Sequence, residues 1–203
     1  MREFCGYCLT VCFLLVNLQS VVQGEEIPLP SAVGDASISI VDIEGKKRFP
    51  FKLDEAKAIT LIFVTHDCPI SNAYSPELAR IKEAYDSKGI NMILIFVDPD
   101  VAKKEIQEHM RNYSLSGYTA VIDRTHKLVK ETGATVTPEA VVVLRDGSIA
   151  YRGRIDNMYP ALGQRRRVIS EKDLRNALNA IIENREIETQ RTQAVGCYIP
   201  NLQ

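Results

Sequence analysis

The sequence predicts an α/β fold in which a central mixed β-sheet carries helices on both faces. Three observations point there. The runs 59–64 and 90–97 are continuous and rich in β-branched and aliphatic residues, the composition of strands buried on both sides. Between them, apolar residues recur at helical spacing from Ser71 to Ser87. Further along, two apolar runs flank Asp146-Gly147, a pair favoured in tight hairpin turns.

The elements follow in order. Met1 to Gly24 reads as an export signal: Arg2 precedes an apolar stretch around Cys8 to Val16, and Val22 and Gly24 offer a cleavage site before Glu25-Glu26. The apolar run is about ten residues, against the ~20 that a membrane span needs, and an uncleaved anchor is the alternative. Residues 25–35 form a leader with Pro28, Pro30 and Gly34. Alternation through Ile38, Ile40 and Ile43 predicts a first strand over 36–43, then a turn at Gly45-Lys46-Lys47 and an extended piece at 49–53. After the 59–64 strand comes the 71–87 helix, which Pro76 should kink. The 90–97 strand leads to a helix from Asp100 to about Asn112. A short strand over 119–123, a short helix over 126–132 and the hairpin 140–144 with 149–154 follow. Ser170 and Asp173 resemble a capping box for a last helix ending near Asn184. The domain spans 36–184, and 185–203 is a polar tail carrying Cys197.

Composition excludes several functions. Lys+Arg 25 against Asp+Glu 26 leaves a formal net charge of −1, so nothing draws the chain globally to nucleic acid or an anionic membrane. A hydrophobic content of 45% is too high for a disordered chain. Trp is absent, and no phosphate-cradling glycine loop exists, so no nucleotide cofactor is expected. Of the 5 Cys, Cys5, Cys8 and Cys12 lie in the signal, and the mature protein keeps Cys68 and Cys197. In an oxidising compartment such a pair is a redox couple or a structural staple.

Chemistry concentrates at Cys68, where a buried strand ends and a helix begins. Unpaired N–H groups and the helix dipole there favour a thiolate. Pro69 suits the first helical turn, where its missing N–H costs nothing. Thr65 and Ser71 are candidate hydroxyl donors to the sulfur; His66 would assist when protonated, and Asp67 would oppose. A buried, inert cysteine is the alternative.

The segment Phe63-Val64-Thr65-His66-Asp67-Cys68-Pro69-Ile70-Ser71 resembles the active-site segment of thioredoxin-fold proteins. Cys68 falls on the attacking cysteine and Ser71 on the second cysteine of CxxC. Pro76 matches the proline of the active-site helix, and Thr137-Pro138 the cis-proline loop that faces the thiol. Thr65-x-x-Cys68-Pro69 also resembles the peroxiredoxin motif, and Cys197 its resolving cysteine. Two departures stand out: Leu61 replaces that motif's proline, and Pro138 occupies the place of its arginine, for which Arg152 or Arg154 would have to substitute. The chain is therefore similar to the broad redoxin group, the alkyl hydroperoxide reductase and thiol-specific antioxidant relatives, as an exported bacterial member.

The resemblance implies a periplasmic or secreted thiol oxidoreductase with catalytic Cys68, Cys197, Thr65, Ser71 and Pro138, and Thr137, Pro69 and His66 against the substrate. Substrates would be protein or small-molecule disulfides or peroxides, with an external thiol reductant and no cofactor. Cys197, on a mobile tail beside Gly196, would resolve the Cys68 intermediate. The competing reading is a permanent Cys68–Cys197 staple, worth about 5 kcal/mol in the chain-entropy model. Another is a non-catalytic binding module or copper carrier using His66, His109 and His126 with Cys68. Arg165-Arg166-Arg167 reads as a solvated face or docking patch, and Asn112-Tyr113-Ser114 as a glycosylation sequon.

Overall fold

A computed structural model describes Ala32, Val33, Asp35 and residues 37–199. The expected signal segment and nearly all of the leader lie outside the described residues. No helix among the described residues is long and apolar enough to cross a membrane.

The core is a five-stranded sheet. Its strands are β3 (Ala58–Val64), β4 (Ile90–Phe96), β5 (Thr119–Ile122), β7 (Glu139–Leu144) and β8 (Ile149–Gly153), in the order β5-β4-β3-β7-β8. β3 runs parallel to β4, β4 parallel to β5, and β7 antiparallel to both β3 and β8, so the sheet is mixed as expected. All seven residues of β3 are buried. The strand's period of two sends Ala58, Ile62 and Val64 into one apolar layer and Ile59, Leu61 and Phe63 into the other. That two-sided burial is why the run reads as continuously apolar.

Helices cover both faces. The layer holding Ile62 also takes Leu78 and Ile81 from α1 (Pro69–Tyr85), Ile106 and Met110 from α2 (Lys103–Asn112), and Leu174 and Leu178 from α4 (Asp173–Ile182). The opposite layer packs Leu61 and Phe63 against Leu128 and Val129 of α3 (Lys127–Thr132), with Ile38, Phe51 and Leu53.

Several boundaries differ from expectation. The first strand shrinks to β1 (Ile40–Val41), paired with β2 (Lys47–Arg48), because Asp42 turns the chain by accepting the N–H groups of Glu44 and Lys46. Residues 49–53 form turns rather than a strand, although Phe51 and Leu53 are buried. α1 starts two residues early, at Pro69, since Cys68 caps it; Pro76 lies within it. α2 starts at Lys103, where Glu105 accepts the Ala102 N–H. Ser170 does not cap α4. Its hydroxyl accepts from Asn157 Nδ2 at 2.8 Å, and Lys172 holds the cap position. The Asp146-Gly147 turn forms, with Gly147 at φ +85° and Asp146 accepting the Ser148 N–H.

One feature of the fold has no counterpart in the sequence reading. Two short strands, β6 (Val136–Thr137) and β9 (Cys197–Tyr198), pair antiparallel with Thr137 opposite Cys197. The tail reaches β9 along the sheet edge. Arg152 N–H donates to the Gln190 carbonyl at 2.9 Å, and Thr192 N–H to the Arg152 carbonyl at 3.1 Å. Beyond β9, Ile199 N–H donates to Thr135 O at 3.1 Å and its side chain is buried in the core. As far as Ile199 the tail is therefore docked on the fold, whereas the resemblance implied a mobile arm presenting Cys197.

Candidate active site

β3 ends at Val64, and four residues later Cys68 caps α1 in an extended conformation, φ −72° and ψ 114°. The side chain is turned inward and only 1% exposed. Cys68 Sγ accepts the Ser71 N–H at 3.4 Å, and its thiol, when protonated, donates to the Thr137 carbonyl at 3.3 Å. The third neighbour is Cys197, whose Sγ lies 2.7 Å away; the two cysteines are unbridged.

Burial alone would push the Cys68 thiol up. The Cys197 S–H and the Ser71 N–H and hydroxyl, all aimed at the sulfur, outweigh it and hold Cys68 below the ordinary thiol range. Cys197 moves the other way, pushed up to about 12 by burial and then by its neighbour Cys68. The pair is thus polarised, with the negative charge favoured on Cys68.

The loop facing the sulfurs is built by the Thr137–Pro138 bond, which is cis as the resemblance implied. It presents the Thr137 carbonyl to Cys68 and the Thr137 backbone to Cys197. Immediately after it, Glu139 is buried at the start of β7. Its Oε2 accepts the Thr135 N–H at 2.8 Å and the Val136 N–H at 3.4 Å, while Oε1 lies 3.4 Å from Arg152 Nε. Burial raises the Glu139 carboxyl, against the pull of those N–H groups and of Arg152.

The structure redistributes the other expected residues. Thr65 Oγ1 lies 3.3 Å from Thr137 Oγ1, so its hydroxyl pairs with the cis-proline loop rather than with the sulfur. Ser71 serves Cys68 chiefly through its N–H; its buried hydroxyl faces the thiol without a well-formed hydrogen bond. Pro69 opens α1 as expected. His66 turns to Asp98, Nδ1 to Oδ1 at 3.1 Å. His109 Nε2 lies 2.7 Å from Asn72 Oδ1, and His126 Nε2 is 3.0 Å from the Val97 carbonyl. The three imidazoles do not gather with Cys68: among the described residues the one metal-compatible cluster is His66, Asp67 and Asp98. Neither arginine approaches Cys68 as a substitute. Arg152 pairs with Glu139, and Arg154 with Asp173 at 2.8 Å and with Glu171.

Sequence reasoning missed Glu139 and the close approach of Gly196. A signal for Glu139 existed. The Asp146-Gly147 hairpin pairs Val143 with Ile149, and after a one-residue register shift Arg152 stands opposite Val141, so opposite charges sit close on two otherwise apolar strands.

A family model described as Redoxin matches residues 37–161. The chain belongs to the Redoxin family. Its fold agrees with solved structures at low identity. A hypothetical protein from Sinorhizobium meliloti 1021 superposes with a TM-score of 0.72 at 21% identity, covering 85% of this chain and 94% of that one. An uncharacterized conserved protein from Geobacillus kaustophilus gives 0.71 at 21% identity, covering 83% and 92%. DsbF of MTB, solved in mixed oxidized and reduced forms, gives 0.55 at 17% identity, covering 72% and 96%. No curated protein matches the chain. The Redoxin match ends at Ala161, ahead of α4 and of the docked tail, so Cys197 reaches Cys68 from outside the matched segment.

Proposed function

We propose that this Redoxin-family protein is an exported thiol-disulfide oxidoreductase in which Cys68 is the nucleophile and Cys197 the resolving thiol. The observation that carries this reading is the 2.7 Å approach of the two sulfurs, polarised toward a Cys68 thiolate. The Cys68 thiolate attacks one sulfur of a substrate disulfide, forming a mixed disulfide and releasing the other half as thiolate. Cys197 loses its proton, attacks Cys68 Sγ and expels the second half. Two electrons thus pass to the substrate and a Cys68–Cys197 disulfide remains. An external thiol reductant then restores the dithiol. Export rests on the Met1–Gly24 signal pattern, and the oxidising compartment it implies suits a cycling disulfide.

A disulfide is favoured over a peroxide by the placement of the groups a peroxide would need. The Thr65 hydroxyl is turned to Thr137, and Arg152 and Arg154 are engaged with carboxylates. The test treats reduced protein, wild type and Cys197→Ser, with oxidised glutathione or hydrogen peroxide in separate arms, followed by timed thiol trapping and mass spectrometry. The expected result is a Cys68–Cys197 disulfide in the wild type and a Cys68–glutathione adduct in the variant. Faster reaction with peroxide, and a Cys68 sulfenic acid in the variant, would replace this reading with a thiol peroxidase. A Cys68 no faster than free cysteine in both arms would leave a structural staple.

A further inference from the structure

Glu139 directly follows the cis-proline loop that faces the redox pair, and its side chain bonds to Thr135, Val136 and Arg152. It is 4% exposed, and the polar contacts of its side chain lead to the elements that seat Cys197. Its Oε2 holds the N–H groups of Thr135 and Val136, the residues that lead into and begin β6. Thr135 in turn accepts the Ile199 N–H through its carbonyl, two residues beyond Cys197. On the other side, Glu139 Oε1 pairs with Arg152, itself 5% exposed. The Arg152 backbone exchanges hydrogen bonds with Gln190 and Thr192 of the tail, and its Nη1 donates to the Thr132 carbonyl at 3.3 Å. One carboxylate therefore braces the loop that receives β9 and, through Arg152, the strand edge along which the tail arrives. A buried ion pair adds little net stability by itself, because desolvation offsets most of the attraction. Its value here is geometric: it fixes two segments that the chain brings together from widely separated positions.

We propose that Glu139 is the positioning residue for Cys197, holding the 135–137 segment in the register that places the resolving sulfur on Cys68. The proposal rests on the Cys68–Cys197 couple of the preceding section, but it concerns how readily that bond closes, whichever substrate opens it. An amide in place of the carboxylate cannot serve both sides. Whichever way it is turned, its NH₂ group faces either the Arg152 guanidinium or the Thr135 N–H, and donor then meets donor.

The test is an equilibrium one and needs no knowledge of the substrate. Full-chain wild type, Glu139→Gln and Arg152→Lys are equilibrated in buffers of reduced and oxidised dithiothreitol. Closing Cys68–Cys197 oxidises the two protein thiols and reduces one oxidised dithiothreitol. Trapping then gives the effective concentration of one thiol for the other. Glu139→Gln is expected to lower it at least tenfold and Arg152→Lys by a smaller factor. In parallel, hydrogen exchange on the reduced proteins follows the Ile199 and β3 amides. The expected result is loss of protection at Ile199 with β3 unchanged. Wild-type effective concentrations in both variants would overturn the proposal, as would protection lost evenly across β3 and Ile199, since that is the mark of general destabilisation. Should Glu139→Gln fail to fold, Arg152→Lys decides by the same two readouts. Failure of Cys68 to attack a substrate disulfide would sink the oxidoreductase reading and leave these results standing.

Discussion

Gly196 lies so close to the Thr137 carbonyl that a methyl group at its Cα would overlap the oxygen and stand 2.6 Å from the carbonyl carbon. Only glycine lets the tail meet the cis-proline loop at this distance, and the next residue is Cys197. Gly196→Ala should therefore lift β9 off β6. Stopped-flow oxidation with oxidised glutathione is expected to show the Cys68 adduct accumulating and closure to the intramolecular disulfide at least tenfold slower than in the wild type.

The two thiols should titrate far apart. After the opposing effect of burial, the largest influence on Cys68 is the hydrogen bond from Cys197, which favours the thiolate. Replacing Cys197 by Ala removes that donor, so the Cys68 midpoint, followed by thiolate absorbance at 240 nm, is expected to rise. Reactivity of wild-type Cys68 should accordingly saturate at a lower pH than in the variant. A midpoint unchanged or lowered in the variant would contradict the assignment of the donor.

Reduction of the closed couple should begin at Cys197. Cys68 is enclosed, whereas Cys197 is partly exposed, and attack on Cys197 expels the thiolate of the lower pKa, the faster leaving group. Brief treatment of oxidised protein with a limiting small thiol, then acid quenching and peptide mapping, is expected to find the mixed disulfide on Cys197. Finding it on Cys68 would mean that the tail leaves before reduction.

Ile62 of β3 is fully buried in the layer that also holds Leu78 and Ile81 of α1. Ile62→Ala should cost about 2–5 kcal/mol of unfolding free energy in urea, with the cavity adding to the lost transfer term. Measured on the reduced protein, the loss should leave Cys68 reactivity below the transition intact.

Much of the fold was legible because long elements repeat their signal. β3 and β4 are each seven residues with apolar side chains sent to both layers, so the continuous runs betray them. Cys68 was legible for the same reason, since it stands where one strong pattern stops and another starts. The cis-proline loop was legible only through a likeness to known proteins, as no periodicity marks it.

The rest lay in contacts between distant segments. β6 and β9 are two residues each, too short for any period to show, and they meet only because the tail follows β8 around the sheet edge. The likeness to two-cysteine relatives implied a mobile tail, yet its backbone groups dock it as far as Ile199. The sequence offered His66, His109 and His126 as ligands beside Cys68, and the folded chain sends each to a separate partner. Glu139 was not singled out in the sequence and Arg152 was a candidate for the missing arginine, whereas the hairpin buries both and pairs them. Hydrophobic patterning by itself determined the layers and the strand-to-helix junction that carries Cys68. Tertiary structure alone decided which sulfur meets it, because that choice depends on hydrogen bonds and one buried ion pair joining segments far apart in the chain.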